Sequence, residues 1–317
     1  MKSSAIFALL LVSAFTVAQS NAKPQSQPSG ESGAQTQSSG GKGAPQAKSK
    51  EEFQAYNEAV ANTDPAKLEA AADAFAQKFP DSELKSLLYQ QDMNLYQRAG
   101  AADKIIEVGR KAIAADPTNP IALVDVASAL AEGTHESDLD RNARYDEATK
   151  DAKAAVSNID TGLRVPPTTP PERVAAAKAS ILAMAYDTLG AIDLAKKNYP
   201  SAEENLLKAV DATKDQTEPV VYLRLSVAQD KQGKYPQALD SATKASQKAQ
   251  AGSTEKILAE QQQSRLQKLM TGGPNSLPMA GGSTPAAGST PTGSTPSTSS
   301  APAQQTPATN PPASTPH

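Results

Sequence analysis

The chain of 317 residues sets 31 Lys and Arg against 34 Asp and Glu, interleaved to a net charge of −3, with no cysteine and no tryptophan. Lack of cysteine excludes disulfides, thiolate metal sites, a Cys nucleophile and a lipid anchor on an N-terminal Cys. No basic face is dense enough for nucleic acid, and 4% aromatic residues provide no stacking platform for single strands.

Met1-Lys2 gives a positive start, Ala5 to Val17 is an apolar run, and Ser20-Asn21-Ala22 puts small residues where a signal peptidase reads. This three-part pattern predicts a secretory signal over residues 1–22, cleaved after Ala22. The run is well short of the roughly 20 residues needed to span hydrocarbon, and no later segment is apolar enough. The expected mature protein is therefore exported, periplasmic or secreted, with no membrane insertion after signal removal. Residues 23–50 hold Gln, Ser, Gly, Pro, Ala and Lys but no aromatic or branched aliphatic residue. They are expected to form a disordered linker, because too little apolar surface is available to offset chain entropy.

From there the apolar spacing is helical. Phe53, Tyr56, Ala59 and Val60 share one face. Asp64-Pro65 restarts a helix carrying Leu68, Ala71, Ala72, Phe75 and Phe79, closed by Phe79-Pro80-Asp81-Ser82. Tyr89, Met93 and Tyr96 form the next face, broken at Gly100 and followed by Ile105, Gly109, Ala112 and Ile113. In Asp116-Pro117-Thr118-Asn119-Pro120, Pro117 stops one helix, Asn119 caps the next and Pro120 takes its first position. Ile121, Leu123, Val124, Ala127 and Leu130 then pair with Tyr145, Ala148, Ala152, Ala155, Val156 and Ile159. The prolines of 160–171 predict a rigid, extended connector, and Glu172 to about Lys197 a long helix.

The last part of the domain repeats itself. Tyr186, Leu189, Gly190, Ala202 and Ala209 return as Tyr222, Leu225, Ser226, Ala238 and Ala245, each offset by 36 residues, and Tyr199-Pro200 returns as Tyr235-Pro236. This order resembles the tetratricopeptide (TPR) pattern of two antiparallel helices in about 34 residues. The small residues Gly190, Ser226, Ala202 and Ala238 let helix A approach helix B. The large residues Tyr186, Leu189, Tyr222 and Leu225 fill the layer between repeats. The ending Phe79-Pro80-Asp81-Ser82 resembles repeats of periplasmic, envelope-associated members. The small-to-Ala spacing is 12 residues in these two repeats but 21 between Ala127 and Ala148, so nine residues are inserted within 132–144.

The expected fold is all-α: a right-handed superhelix of about five TPR hairpins over 51–270, with a capping helix and disordered termini. The repeats fall near 52–85, 86–119, 120–160, 183–216 and 219–252. The cap helix covers 253–270, with Glu260, Gln261, Gln263, Arg265 and Lys268 outward. A disordered Ser/Thr/Pro/Gly-rich tail covers 271–317. Its three Gly-Ser-Thr-Pro units suit either an O-glycosylated stalk or an unmodified tail.

The resemblance implies a scaffold whose helices A hold a partner. Members that clamp a C-terminal carboxylate use Lys, Asn and Arg at fixed helix A positions. Those positions here are Gln90, Asn94 and Arg98; Val124, Ser128 and Glu132; Asp187, Ala191 and Ala195; Leu223, Val227 and Lys231. Only the first set is suitably polar, so a basic clamp is not expected. An amphipathic helix or extended peptide on Gln90, Asn94, Arg98, Val124, Asp187, Leu223 and Val227 suits the strip better.

Catalysis and metal binding find little support. His135 is the sole histidine inside the domain. Glu136, Asp138 and Asp140 alternate beside it, but the glycine and bidentate Glu of a calcium loop do not follow. No Gly-x-Ser-x-Gly elbow is present, and Gly40-Gly41-Lys42-Gly43 lies in the linker. No cofactor is expected. The function expected is a protein-binding scaffold or adaptor in the bacterial envelope. The alternatives are a holding chaperone for exported chains and, more remotely, an envelope-modifying enzyme.

Overall fold

A computed structural model describes residues 45–166 and 168–271. The expected signal, most of the linker and the C-terminal tail lie outside the described residues. Within them the chain is all-α. Its helices are α1 (Lys50–Val60), α2 (Pro65–Lys78), α3 (Leu84–Ala99), α4 (Ala102–Ala115), α5 (Pro120–Glu132), α6 (Arg141–Ser157), α7 (Ile159–Gly162), α8 (Pro171–Ala195), α9 (Tyr199–Thr213), α10 (Pro219–Lys231), α11 (Tyr235–Lys248) and α12 (Thr254–Thr271). Each long helix packs on the next in sequence, and α12 also touches α10. The hairpins are α1–α2, α3–α4, α5–α6, α8–α9 and α10–α11, with α12 stacked on the last.

Local chemistry sets the helix starts. Asp64 accepts from the Lys67 N–H, and Asn119 accepts from those of Ile121 and Ala122. Proline opens α2, α5, α8, α9, α10 and α11, where its missing N–H costs nothing. At the start of α1, Ser49 caps the Glu52 N–H, and the Glu52 carboxylate accepts from the Lys48 N–H. That is a capping box shifted by one residue. The end of the expected linker is thus ordered: Ala47 packs on the core and Lys48 Nζ donates to the Asp81 carbonyl at 2.7 Å.

Size complementarity fixes the crossings. A Cβ on Gly190 would meet Leu206 Cγ at 2.6 Å. At the equivalent crossing of α3 and α4 the large residue is on the other helix, and Met93 fills the space over Gly109. The fifth hairpin uses two small residues, Ser226 and Ala242, and Ser226 Oγ donates to the Ala238 carbonyl at 2.8 Å. Outside these crossings a second motif recurs. Lys111, Lys208 and Lys244 each stand over the ring of a tyrosine 22 residues earlier, Tyr89, Tyr186 and Tyr222, at 6.0, 5.7 and 6.0 Å. Such cation–π contacts contribute about 0.5–1 kcal/mol where exposed.

The irregular third hairpin departs from expectation in two ways. The insertion reduces to the loop 133–140, because α6 already begins at Arg141. Thr134 holds the loop down, donating to the Leu130 carbonyl and accepting from Arg144 Nε. The connector is not simply extended either. Ile159–Gly162 is helical, and Thr169 N–H closes a turn on the Pro166 carbonyl. Leu163 is buried with Leu123, Val124, Ala155, Ile159, Ile181 and Ala185. Gly162 passes so close to the α4–α5 turn that a Cβ would sit 1.8 Å from the Thr118 carbonyl oxygen. Arg164 then reaches Asp116 at 3.1 Å and Glu83 at 3.2 Å.

On α12, two residues expected to face outward are engaged. Gln263 Nε2 donates to Thr243 Oγ1 at 2.8 Å, and Arg265 pairs with Asp230. Glu260, Gln261 and Lys268 are exposed, as are Ile257 and Leu258.

Candidate partner-binding face

In the second to fifth hairpins helix A is α3, α5, α8 and α10. Gly190 and Ser226 face helix B, and the residues a few positions to either side face away from it. Among the expected partner contacts, Gln90 and Asn94 are half-buried and Arg98 is exposed. Gln90 Oε1 accepts from Asn119 Nδ2 at 2.9 Å, which ties α3 to the cap of α5. Val227 is half-buried. Leu223 is half-buried too, and packs toward Tyr222, Ala245 and Ala259. Val124 does not belong on this face. It is 1% exposed and sits in the cluster under the connector, because the ordered connector covers a position that would lie open on a regular hairpin.

The sequence reading missed the residue that organises the face. Arg224 of α10 pairs with Asp187 of α8 and approaches Glu132 of α5, with Nη2 to Oε1 at 3.9 Å. Three successive helices A are therefore joined by one guanidinium, whose planar fork suits two carboxylates. The second carboxylate oxygen of Asp187 is buried without a hydrogen-bond partner. Burial pushes the Asp187 carboxyl up, Arg224 draws it down and Glu132 adds to the rise, leaving it raised. Glu218, at the start of α10, is raised by burial and by the charge of Asp187. Asp125 of α5 occupies the Arg224 register in its own hairpin, and burial alone pushes it up to about 7. Asp187 and Glu132 thus flank Arg224 on this face.

His135 is exposed, 3.7 Å from Asp138, in the 133–140 loop. Among the described residues no group of His, Cys, Asp and Glu is arranged to hold a metal ion.

No family model and no curated protein matches the chain. Similar solved structures share helical-repeat architecture. They include a double mutant of MamA from RS-1, at 16% identity over 63% of this chain and 94% of that one, with a TM-score of 0.44. PilF of Pseudomonas aeruginosa gives 17% identity over 72% and 96%, with a TM-score of 0.44. A thermophilic TPR protein of Thermus thermophilus gives 15% over 67% and 98%, with a TM-score of 0.40. At these values the likeness says nothing about partner or process. The fold stands on the chain's own 36-residue step and its helix crossings: this is an array of TPR-type helix hairpins.

Proposed function

We propose that the chain is a non-catalytic scaffold or adaptor of the bacterial envelope, exported by its N-terminal signal, that holds a peptide or amphipathic helix against its helices A. The observation that carries this reading is the Arg224–Asp187–Glu132 junction, where three hairpins present polar groups on one shared face. Half-buried Asn94, Ser128, Ala191 and Val227 extend that face along the array. Small and apolar patches between polar anchors suit a helix or strand with alternating character. The exposed 133–140 loop beside α5 provides a further contact surface.

The test is capture from envelope extract with the chain from residue 23 onward. Wild type retains one stoichiometric protein, and Arg224→Glu, which reverses the charge at the centre of the junction, loses it. Equal capture by both removes this face from the reading. Weak retention of many unfolded chains by both replaces the adaptor with a holding chaperone.

A further inference from the structure

In the second hairpin Asp92 stands where the fourth and fifth hairpins have Leu189 and Leu225, three residues after the shared tyrosine. Asp92 is 0% exposed, and neither carboxylate oxygen has a hydrogen-bond partner. The charges that bear on it come from both neighbouring helices: Glu69 and Asp73 of α2, and Lys104 and Lys111 of α4. These four are committed to one another. Lys111 bridges Glu69 and Asp73 at 3.0 and 2.8 Å, and Lys104 bridges Glu69 and Glu107 at 3.3 and 2.8 Å. On α3 itself, Tyr96 donates to Glu69 and Tyr89 to Asp73. α1, the remaining helix packed on α3, brings Tyr56 and Glu52 as its buried titratable groups. Glu69, Asp73, Lys104 and Lys111 sum to zero, so an ionised Asp92 adds a buried anion while both lysines are already committed. An uncompensated buried charge is among the costliest features a fold can carry.

We propose that Asp92 is a proton-operated switch: the α2–α3–α4 packing holds it as the neutral acid, and losing that proton loosens the first two hairpins while leaving α8–α12 intact. Burial pushes its carboxyl up, the Glu69 charge adds to this and Lys111 opposes it, which places it at about 7. An acid raised in the folded state favours folding below its unfolded value and disfavours it progressively above. The stability of this segment therefore falls between about pH 4 and pH 7 and is level beyond. Array architecture confines the effect, because each hairpin depends mainly on its neighbours.

Two measurements test this. Carboxyl carbon resonances, with Asp92→Asn used for assignment, report the titration directly. Segment-resolved hydrogen exchange, corrected for intrinsic rates, reports the loosening. The expected result is an Asp92 titration near neutral, with exchange over residues 65–115 about thirtyfold faster at about pH 8.5 than at about pH 5.5. That acceleration is abolished in Asp92→Leu, the side chain used by the other hairpins. Asp92→Asn provides the same readout if the leucine variant folds poorly. Titration below about pH 5, or the same acceleration in either variant, overturns the proposal.

Discussion

Gly109 on α4 faces Val126 on α5 so closely that a Cβ there would lie 2.2 Å from Val126 Cγ2 and 3.1 Å from Met93 Cε. Two helices therefore share the space one glycine leaves. Alanine favours helix over glycine by roughly 1 kcal/mol, and overpacking costs about 1–3 kcal/mol. Gly109→Ala is expected to lower the urea midpoint despite the better helix former. Gly109→Ala with Val126→Ala is expected to recover part of the loss, a non-additivity that a double-mutant cycle reads directly.

The same logic applies at Ala202 and Ala238, both fully buried. Ala202→Leu or Ala238→Leu should lower the melting temperature far more than any alanine substitution in the 133–140 loop. In Ala238→Leu the C-terminal hairpins should exchange first while α1–α4 stay protected, because coupling runs between nearest neighbours. Uniform acceleration across the domain would instead mean a single cooperative unit.

Lys197 and Gly233 occupy matching positions, at φ +60° and +73°. Left-handed backbone costs an L-residue roughly 1–2 kcal/mol, while glycine gives part of that back in unfolded-chain entropy. No atom lies within 4 Å of a Cβ at Gly233, so only the backbone is at stake there. Gly233→Ala should destabilise by about 1 kcal/mol, and Lys197→Gly should stabilise by somewhat less. Chemical denaturation at fixed pH measures both.

Glu69 titrates in the opposite sense to Asp92. Burial pushes it up, but hydrogen bonds from Tyr96, Lys111 and Lys104 outweigh that and hold it at about 2. A carboxylate lowered on folding contributes stability above its unfolded value and loses it as pH falls toward the folded one. Glu69→Gln should therefore be destabilised at neutral pH and converge on wild type near pH 2. If the gap between the two stays constant across that range, the hydrogen-bonded charge is not its source.

For partner capture, deleting residues 133–142 is a blunt instrument, because it removes Thr134 and the first two residues of α6, Arg141 and Asn142. Leu139 is fully exposed and provides a cleaner probe. Leu139→Ser should leave the helical circular dichroism and melting temperature unchanged. If the loop is a contact surface, it should weaken retention of the envelope partner by about tenfold, as loss of a buried anchor does. Undiminished retention would remove the loop from the interface.

Much of the array was legible because the last two helix-pair hairpins keep the same residue classes in step. The second hairpin, expected near 86–119, hid its register against them by exchanging sizes. Met93 stands where Gly190 and Ser226 do, and Gly109 where Leu206 does, so a search for a small residue on helix A passes over it. Asp92 in the leucine register added to the disguise. The Tyr–Lys spacing of 22 residues would have exposed it, since Tyr89 and Lys111 repeat the Tyr186–Lys208 and Tyr222–Lys244 pairs. On the candidate face Asp187 was named from sequence but its partner was not. Arg224 lies one residue from the Leu223 register, and only folding shows that its long side chain crosses two helices. Val124 was misplaced for a related reason: local spacing does not disclose that a distant connector will cover it.

The strap from Gly162 to Arg164 also bears on the order of folding. Helix-hairpin arrays otherwise close short loops, which is why they assemble quickly from either end. Here Arg164 meets Asp116 across 48 residues and Glu83 across 81. The α5–α6 hairpin must already stand before the strap can be drawn over the α4–α5 turn. Contacts of such separation are expected to form late, and contacts absent from the transition state slow unfolding without hastening folding. The fastening is therefore expected to act as a kinetic latch, setting how long the middle of the array stays closed.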